Sequence, residues 1–147
     1  EYFKEARNIL DSAKPGDIVG IQMYEFQNAQ TNPDKGATAA PGYADQQALL
    51  PGIAEAAARG VKVHLILDAS KDEKTKELNN QPVIDYLKKA NDKTGNITLD
   101  LYPPATVNID HAKEIFHLAK QPDGKFSVER VLAGGSNWGN HTPANDD

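Results

Sequence analysis

The residues of this 147-residue chain that could do chemistry lie close together near its carboxyl end. His111 and Lys113 form a His-x-Lys pair, and an extended backbone would place both side chains on one face because strand side chains alternate. A neutral imidazole can attack phosphorus or carry a proton near neutral pH, and an adjacent ammonium attracts an anionic phosphate and disfavours imidazole protonation. The pair therefore suits an anionic ester as substrate.

A second polar group follows in a turn with the sequence GGSNW at residues 134–138. Glycines let the backbone approach a ligand closely, and the Ser136 hydroxyl and the Asn137 amide can donate hydrogen bonds to phosphate oxygens. The run 125–132 predicts a returning strand, with the hairpin turn at 121–124. Such a hairpin would carry the turn back beside the His-x-Lys pair.

These residues resemble the phospholipase D superfamily, whose signature is His-x-Lys, four residues, Asp, and then Gly-Ser and Asn further along the chain. His111, Lys113, Ser136 and Asn137 match that signature by type and order. The resemblance covers nearly the whole chain in the order of its elements, and residues 110–147 in motif. It implies hydrolysis or transfer at a phosphodiester through a phosphohistidine intermediate, with no metal and no organic cofactor.

The resemblance also implies a role for each matching residue. His111 would be the nucleophile or the acid, Lys113 and Asn137 would hold phosphate oxygens, and Ser136 would donate its hydroxyl. The predicted substrate-binding residues lie in or after the same turn: Gly135, Trp138, Asp146 and Asp147. Asp146 or Asp147 would be the acidic residue that orients the histidine.

The sequence departs from the signature in two ways. Leu118 occupies the position of the family's Asp, and the spacing from Lys113 to Gly135 is longer than the usual pattern. The nearest aspartate is Asp123, whose Asp-Gly-Lys context looks like the family's Asp-Gly turn displaced by an insertion.

Three further polar residues have functional and structural interpretations. His117 shares a face with His111 in an extended segment, but without a carboxylate cluster a metal site is not predicted. His64 lies in the middle of a strand, where a hydrogen-bonded sheet residue is commoner than a ligand. Asp68, at a strand end, is interpreted as a turn or helix-cap residue rather than a ligand contact.

The elements that must position these residues alternate along the chain. Apolar residues at helical spacing predict helices at 1–13, 45–59 and 81–90, with a kink or a later start at Pro51. Strands are predicted at 18–26, 61–68 and 97–102, the second covered on both faces. The predicted fold is a single α/β domain over 1–147, with a mixed, mostly parallel β-sheet flanked by helices on both faces. Ligands bind beyond the carboxyl ends of strands in such sheets.

Composition narrows the function classes. The chain is 39% hydrophobic and 25% charged, with a net charge of −5 and a pI near 5.3, which favours a phospholipid over nucleic acid as the phosphodiester. It contains no cysteine and no apolar run near the roughly 18 residues of a membrane span. Localisation stays open, with a secreted or membrane-surface protein favoured over a cytoplasmic one.

Only one His-x-Lys pair is present, so a complete site needs a second copy. That copy would come from the rest of a longer two-motif protein, of which this chain is expected to be the N-terminal half, or from a homodimer partner. The alternatives are a non-catalytic structural or binding half, a nuclease of the same superfamily, and an unrelated α/β domain in which the pair is a coincidence.

Overall fold

The computed structural model describes residues 1–32, 40–102, 112–140 and 142–144. His111, Asp146 and Asp147 therefore lie outside the described residues. The helices are α1 (Tyr2–Ser12), α2 (Tyr43–Gln47), α3 (Leu49–Ala58) and α4 (Gln81–Thr94), and Thr142–Ala144 form a 3-10 turn. The strands are β1 (Ile18–Met23), β2 (Lys62–Asp68), β3 (Ile97–Tyr102), β4 (Lys113–Lys120) and β5 (Phe126–Ala133). None of the described helices is both long and apolar enough to cross a bilayer.

The strands form one five-stranded sheet in the order β3-β2-β1-β4-β5. The β1–β2 and β2–β3 pairs are parallel, whereas β1–β4 and β4–β5 are antiparallel. The sheet is therefore mixed, and the prediction of a mostly parallel sheet is wrong. The reason is that β4 begins at the edge of the sheet where β3 ends, so it runs back against β1.

Helices α1, α3 and α4 pack against one face of the sheet. The inward side chains of β1 and β2 form the core with these helices: Val19, Ile21, Met23, Val63, Leu65 and Leu67. The prediction of helices on both faces is not met by the described helices. From β1 to β3 the chain steps across the sheet in one direction only, and right-handed crossovers that step in one direction place their helices on the same face.

The second face of the sheet is open to solvent in the described part of the chain. The side chains of β2 alternate between buried and exposed, so this strand is not covered on both faces as predicted. On the open face, His64 Nε2 lies 2.7 Å from Asp100 Oδ2. The Phe116 ring lies over Gly20, where a Cβ would come within 2.0 Å of the ring. Glycine at this position therefore lets the ring lie flat on the sheet.

Most element positions agree with the sequence pattern. β3 has the predicted bounds, α1 differs by a residue at each end, and α4 is longer than predicted. The helix predicted from Asp45 is divided at Ala48, with Pro51 in the first turn of α3. The hairpin turn also forms as predicted, since the Gly124 N–H donates to the Gln121 carbonyl at 2.9 Å and Gly124 adopts a φ of 84°.

A buried hydrogen bond between two side chains joins β4 to the segment that precedes β1. Asp17 and His117 are both 5% exposed, and His117 Nε2 lies 2.8 Å from Asp17 Oδ2. The backbone N–H groups of Lys14 and Lys120 also donate to the Asp17 carboxylate, each at 2.9 Å. Burial alone would raise the pKa of Asp17, but the hydrogen bonds from Lys120, Lys14 and His117 outweigh it, so the pKa lies below its ordinary value of 3.8.

The lowered pKa of Asp17 predicts an acid-dependent stability. Its contribution is complete above the unfolded-state pKa and is lost as the pH falls through the folded-state pKa. We expect Asp17→Asn to lower the free energy of unfolding by about 1–3 kcal/mol at pH 7 and to approach the wild type below pH 3.8. Urea unfolding across this pH range measures both values.

The exposed hairpin residue Asp123 supplies the control, because Asp123→Asn changes the same chemical group outside the core. A constant difference between wild type and Asp17→Asn at every pH would contradict the assignment of acid sensitivity to Asp17.

Candidate functional site

The candidate site lies at the edge of the sheet where β1, β2 and β3 end and β4 begins. Lys113, the first residue of β4, is paired with Met23 at the end of β1. The Gly134 N–H, directly after β5, donates to the Lys113 carbonyl at 3.1 Å. The hairpin therefore brings the lysine of the His-x-Lys pair and the turn at 134–138 together.

Lys113 is half-buried and lies beside an aromatic residue that the sequence analysis did not single out. Its Nζ is 5.8 Å from the centroid of the Tyr24 ring, which is within range of a cation–π interaction. The Tyr24 N–H donates to the Ala112 carbonyl at 3.1 Å and so joins the entry of β4 to the exit of β1. The position of His111 is not tested, because that residue lies outside the described part of the chain.

The residues of the turn differ in their exposure to solvent. Gly135 is exposed, and a Cβ on it would meet no atom of the described residues within 4 Å. Ser136 and Asn137 are half-buried. Asn137 Oδ1 accepts a hydrogen bond from the Glu25 N–H at 3.3 Å, and among the described residues its Nδ2 has no partner. The Asn137 amide is thus oriented by its oxygen.

Trp138 anchors the turn to the hydrophobic core. Its indole is fully buried, its Nε1–H donates to the Tyr2 hydroxyl at 3.1 Å, and its ring meets Phe26 edge to face at 5.1 Å. Its backbone N–H donates to the Glu25 carbonyl at 3.0 Å. Trp138 is predicted from the sequence to contact the substrate, whereas its side chain lies in the core, where it anchors the turn.

The buried Gln46, the half-buried Gln47 and the buried Asn140 fix the residues that follow. Gln46 Nε2 donates to the Gln27 carbonyl at 2.9 Å and to the Trp138 carbonyl at 3.0 Å. Gln47 Nε2 donates to Asn140 Oδ1 at 2.8 Å. Helix α2 therefore satisfies the backbone of the turn, a role that the polar composition of this region did not reveal.

Asn80 connects the ends of β1 and β2. It is fully buried; its Oδ1 accepts from the Phe26 N–H at 2.9 Å, and its Nδ2 donates to the carbonyls of Tyr24 at 2.9 Å and Asp68 at 3.1 Å. Asn80 occupies the N-cap of α4 but makes no capping bond with its side chain. The available sequence signal was an asparagine before Gln-Pro, which local rules assign to capping.

Carboxylates also lie at this edge. Asp68 is 2% exposed, and its Oδ2 accepts from the Ser70 N–H at 2.8 Å, in agreement with its interpretation as a turn residue. Burial raises the pKa of Tyr24, and the charges of Asp68 and Glu25 raise it further. The edge thus combines the Lys113 cation with two acidic side chains and a neutral phenol.

The aspartate missing from the signature is not replaced by Asp123. Leu118 is half-buried on the open face of β4, and Asp123 lies in the hairpin at the far end of the strand, where its Oδ1 accepts from the Lys125 N–H at 2.9 Å. β4 runs from Lys113 to Lys120 and spans roughly 23 Å, and Asp123 lies beyond its far end. Asp123 therefore has a turn-forming role.

His117 points into the helix-covered face and pairs with Asp17, away from the candidate site. Within the described residues there is no group of three or more His, Cys, Asp or Glu side chains arranged to hold a metal ion.

No protein-family model matches the chain, and no curated protein matches it. Among solved structures, it is similar to Nuc, a phospholipase D family member from Salmonella typhimurium, with a TM-score of 0.53 and 18% sequence identity. The match covers 94% of this chain and 66% of the Nuc chain. At this identity the likeness concerns the fold, so the chain has a phospholipase D-like α/β fold.

The hydrogen bonds of Asn80 predict that removing its side chain destabilises the fold strongly and at a defined place. We expect Asn80→Ala to lower the free energy of unfolding by about 2–4 kcal/mol, because one donor and two acceptors lose their partner inside the protein. Urea unfolding measures the loss, and faster amide exchange at Phe26 would localise it. Asn79→Ala, at the exposed neighbouring position, is the control. An equal and small effect of both substitutions would contradict this role for Asn80.

Proposed function

We propose that this chain is one half of a phosphodiesterase that acts through a phosphohistidine intermediate. The observation that supports the proposal is the meeting of Lys113 with the turn at 134–138, joined by the 3.1 Å hydrogen bond between Gly134 and Lys113. A cation and several hydrogen-bond donors at one sheet edge suit the two non-bridging oxygens of a phosphodiester.

Each proposed residue has a distinct role. The Lys113 ammonium and the Asn137 Nδ2 group hold the non-bridging oxygens, and the Ser136 hydroxyl donates to one of them. The exposed backbone at Gly135 lets the phosphate come close to the turn. These donors are held by β-strands and by the buried Trp138, so they need little reorganisation as charge develops on the phosphoryl group.

The proposed reaction has two steps. In the first, a nitrogen of His111 forms a bond to phosphorus while the bond to the leaving alkoxide breaks, and a second histidine protonates that oxygen. In the second, water or another alcohol attacks phosphorus, gives its proton to the second histidine, and releases the imidazole. Asp146 or Asp147 would orient the attacking histidine, in keeping with the resemblance.

The second histidine must come from another His-x-Lys half. It would lie in a longer chain that includes this half, or in a second copy that meets this one at the strand-end edge. Two such halves would present two lysines to one phosphate.

A phospholipid is the favoured substrate class. The net charge of −5 and the acidic side chains of Asp68 and Glu25 at this edge repel a polyanionic nucleic acid more strongly than one phosphodiester in a zwitterionic lipid.

A non-catalytic binding half is the second candidate function. The observation that favours it is the loss of the signature aspartate, since Leu118 takes its position and Asp123 lies far from Lys113. A half of this kind would hold a phosphate-containing ligand or support an active half without cleaving the ester itself.

Activity measurements separate the two functions. We expect the full-length protein, with both His-x-Lys halves present, to cleave phosphatidylcholine and bis(4-nitrophenyl) phosphate. In that protein His111→Ala and Lys113→Ala should each lower kcat/KM by about a thousandfold or more, which is roughly 4 kcal/mol of transition-state stabilisation. Asn137→Ala removes one donor, and a loss of about a hundredfold is expected. Lys120→Ala, an exposed lysine at the other end of β4, should retain full activity.

An inactive wild type, or His111 and Lys113 variants that match Lys120→Ala, would favour the binding half. Cleavage of an oligonucleotide while phosphatidylcholine stays intact would overturn the proposed lipid substrate and leave the reaction class in place.

A further inference from the structure

Tyr24 has no part in the chemistry proposed above, yet it lies next to the lysine on which that chemistry depends. The residue follows directly after β1 and is half-buried. The Lys113 Nζ lies 5.8 Å from the centroid of its ring. A ring face at this distance attracts an ammonium through its quadrupole.

We propose that Tyr24 is a positioning residue that holds the Lys113 ammonium at the strand-end edge through the face of its ring. The inference rests on the proposed function, because it assigns to Lys113 the task of binding the phosphate. Tyr24 acts through Lys113 and need not touch the substrate.

The backbone of Tyr24 is fixed on both sides, so the ring starts from a defined place. Its N–H donates to the Ala112 carbonyl at 3.1 Å, one residue before Lys113. Its carbonyl accepts from Asn80 Nδ2 at 2.9 Å. The strand that carries the lysine and the residue that carries the ring are therefore joined directly, and the distance between the two side chains follows from the pairing of β1 with β4.

The surrounding charges explain why an aromatic ring suits this position. Asp68 and Glu25 both act electrostatically on Tyr24, so carboxylates lie near the ring. A lysine side chain is long and flexible, and a direct ion pair with either carboxylate would neutralise the charge that a phosphate needs. The ring attracts the ammonium through its quadrupole and adds no charge of its own to this position.

The hydroxyl of Tyr24 is not required for this role. Burial, followed by the charges of Asp68 and Glu25, raises the pKa of Tyr24, so the phenol is neutral at physiological pH and adds no anion beside Lys113. The proposal therefore separates the ring from the hydroxyl, and two substitutions can test them individually.

Tyr24→Phe keeps the ring, and we expect kcat/KM to remain within about threefold of the wild type. Tyr24→Leu removes the ring, and we expect kcat/KM to fall by about 3- to 30-fold, mostly through a higher KM if Lys113 holds the substrate as well as the transition state. In a Lys113→Ala background, Tyr24→Leu should cause little further loss, because its target is already absent. Tyr86→Leu, at a half-buried tyrosine on α4, is the control for loss of a tyrosine elsewhere in the fold.

A second measurement does not depend on activity. Reductive methylation with ¹³C-formaldehyde labels lysine amines and keeps their charge, and the Lys113 methyl signal is assigned by its absence from Lys113→Ala. A ring face shifts nearby methyl resonances, so we expect the Lys113 signal to be displaced in the wild type and in Tyr24→Phe, and to return to the position of exposed lysines in Tyr24→Leu. Tyr86→Leu should leave it unchanged.

The two measurements distinguish the failure of this inference from the failure of the proposed function. An unchanged Lys113 signal in Tyr24→Leu, or an equal activity loss with and without Lys113, would overturn the positioning role. A displaced Lys113 signal in a protein that cleaves neither substrate would support the contact and overturn the proposed phosphodiesterase.

Discussion

The candidate site depends on the three hydrogen bonds that the buried Asn80 side chain makes. Parallel strands end with backbone groups that the sheet can no longer pair, and an unpaired buried amide or carbonyl is costly. Asn80 satisfies the Phe26 N–H and the carbonyls of Tyr24 and Asp68 from one position at the start of α4. Because Asn80 joins the ends of β1 and β2, it also fixes the positions of Tyr24 and of the segment that leads to Phe26.

The turn after β5 is built on that segment. Trp138 pairs its backbone with residues 25 and 27, and its indole packs against Phe26 in the core. Ser136 and Asn137 are thus placed by a buried anchor next to them in sequence, while Gly135 remains exposed. A donor group fixed in this way has lost its conformational freedom during folding, before any ligand arrives, which is how a rigid scaffold lowers the cost of binding.

The sequence predicted those parts of this arrangement that depend on local spacing. Period-two alternation and an Asp-Gly turn predicted the β4–β5 hairpin, and the hairpin alone was enough to bring the turn at 134–138 beside Lys113. The roles of Asn80 and Trp138 were not predictable in this way, since each has hydrogen-bond partners more than fifty residues away. The one-sided helix layer followed from strand order, which hydrophobic periodicity does not encode.

Leu118 stands where the resemblance to phospholipase D would place an aspartate, and the far end of β4 shows what this leucine means for the fold. Leu118 points to the open face, but its neighbour His117 points inward and meets the carboxylate of Asp17, which also accepts the Lys120 N–H. A carboxylate from the segment before β1 therefore fixes the end of β4 that lies beyond position 118. Because the strand is anchored at both ends, by Asp17 at one and by Tyr24 at the other, a leucine at position 118 does not deprive Lys113 of a rigid support. A non-catalytic half would then differ from a catalytic one in its chemistry at the strand-end edge and not in the rigidity of β4.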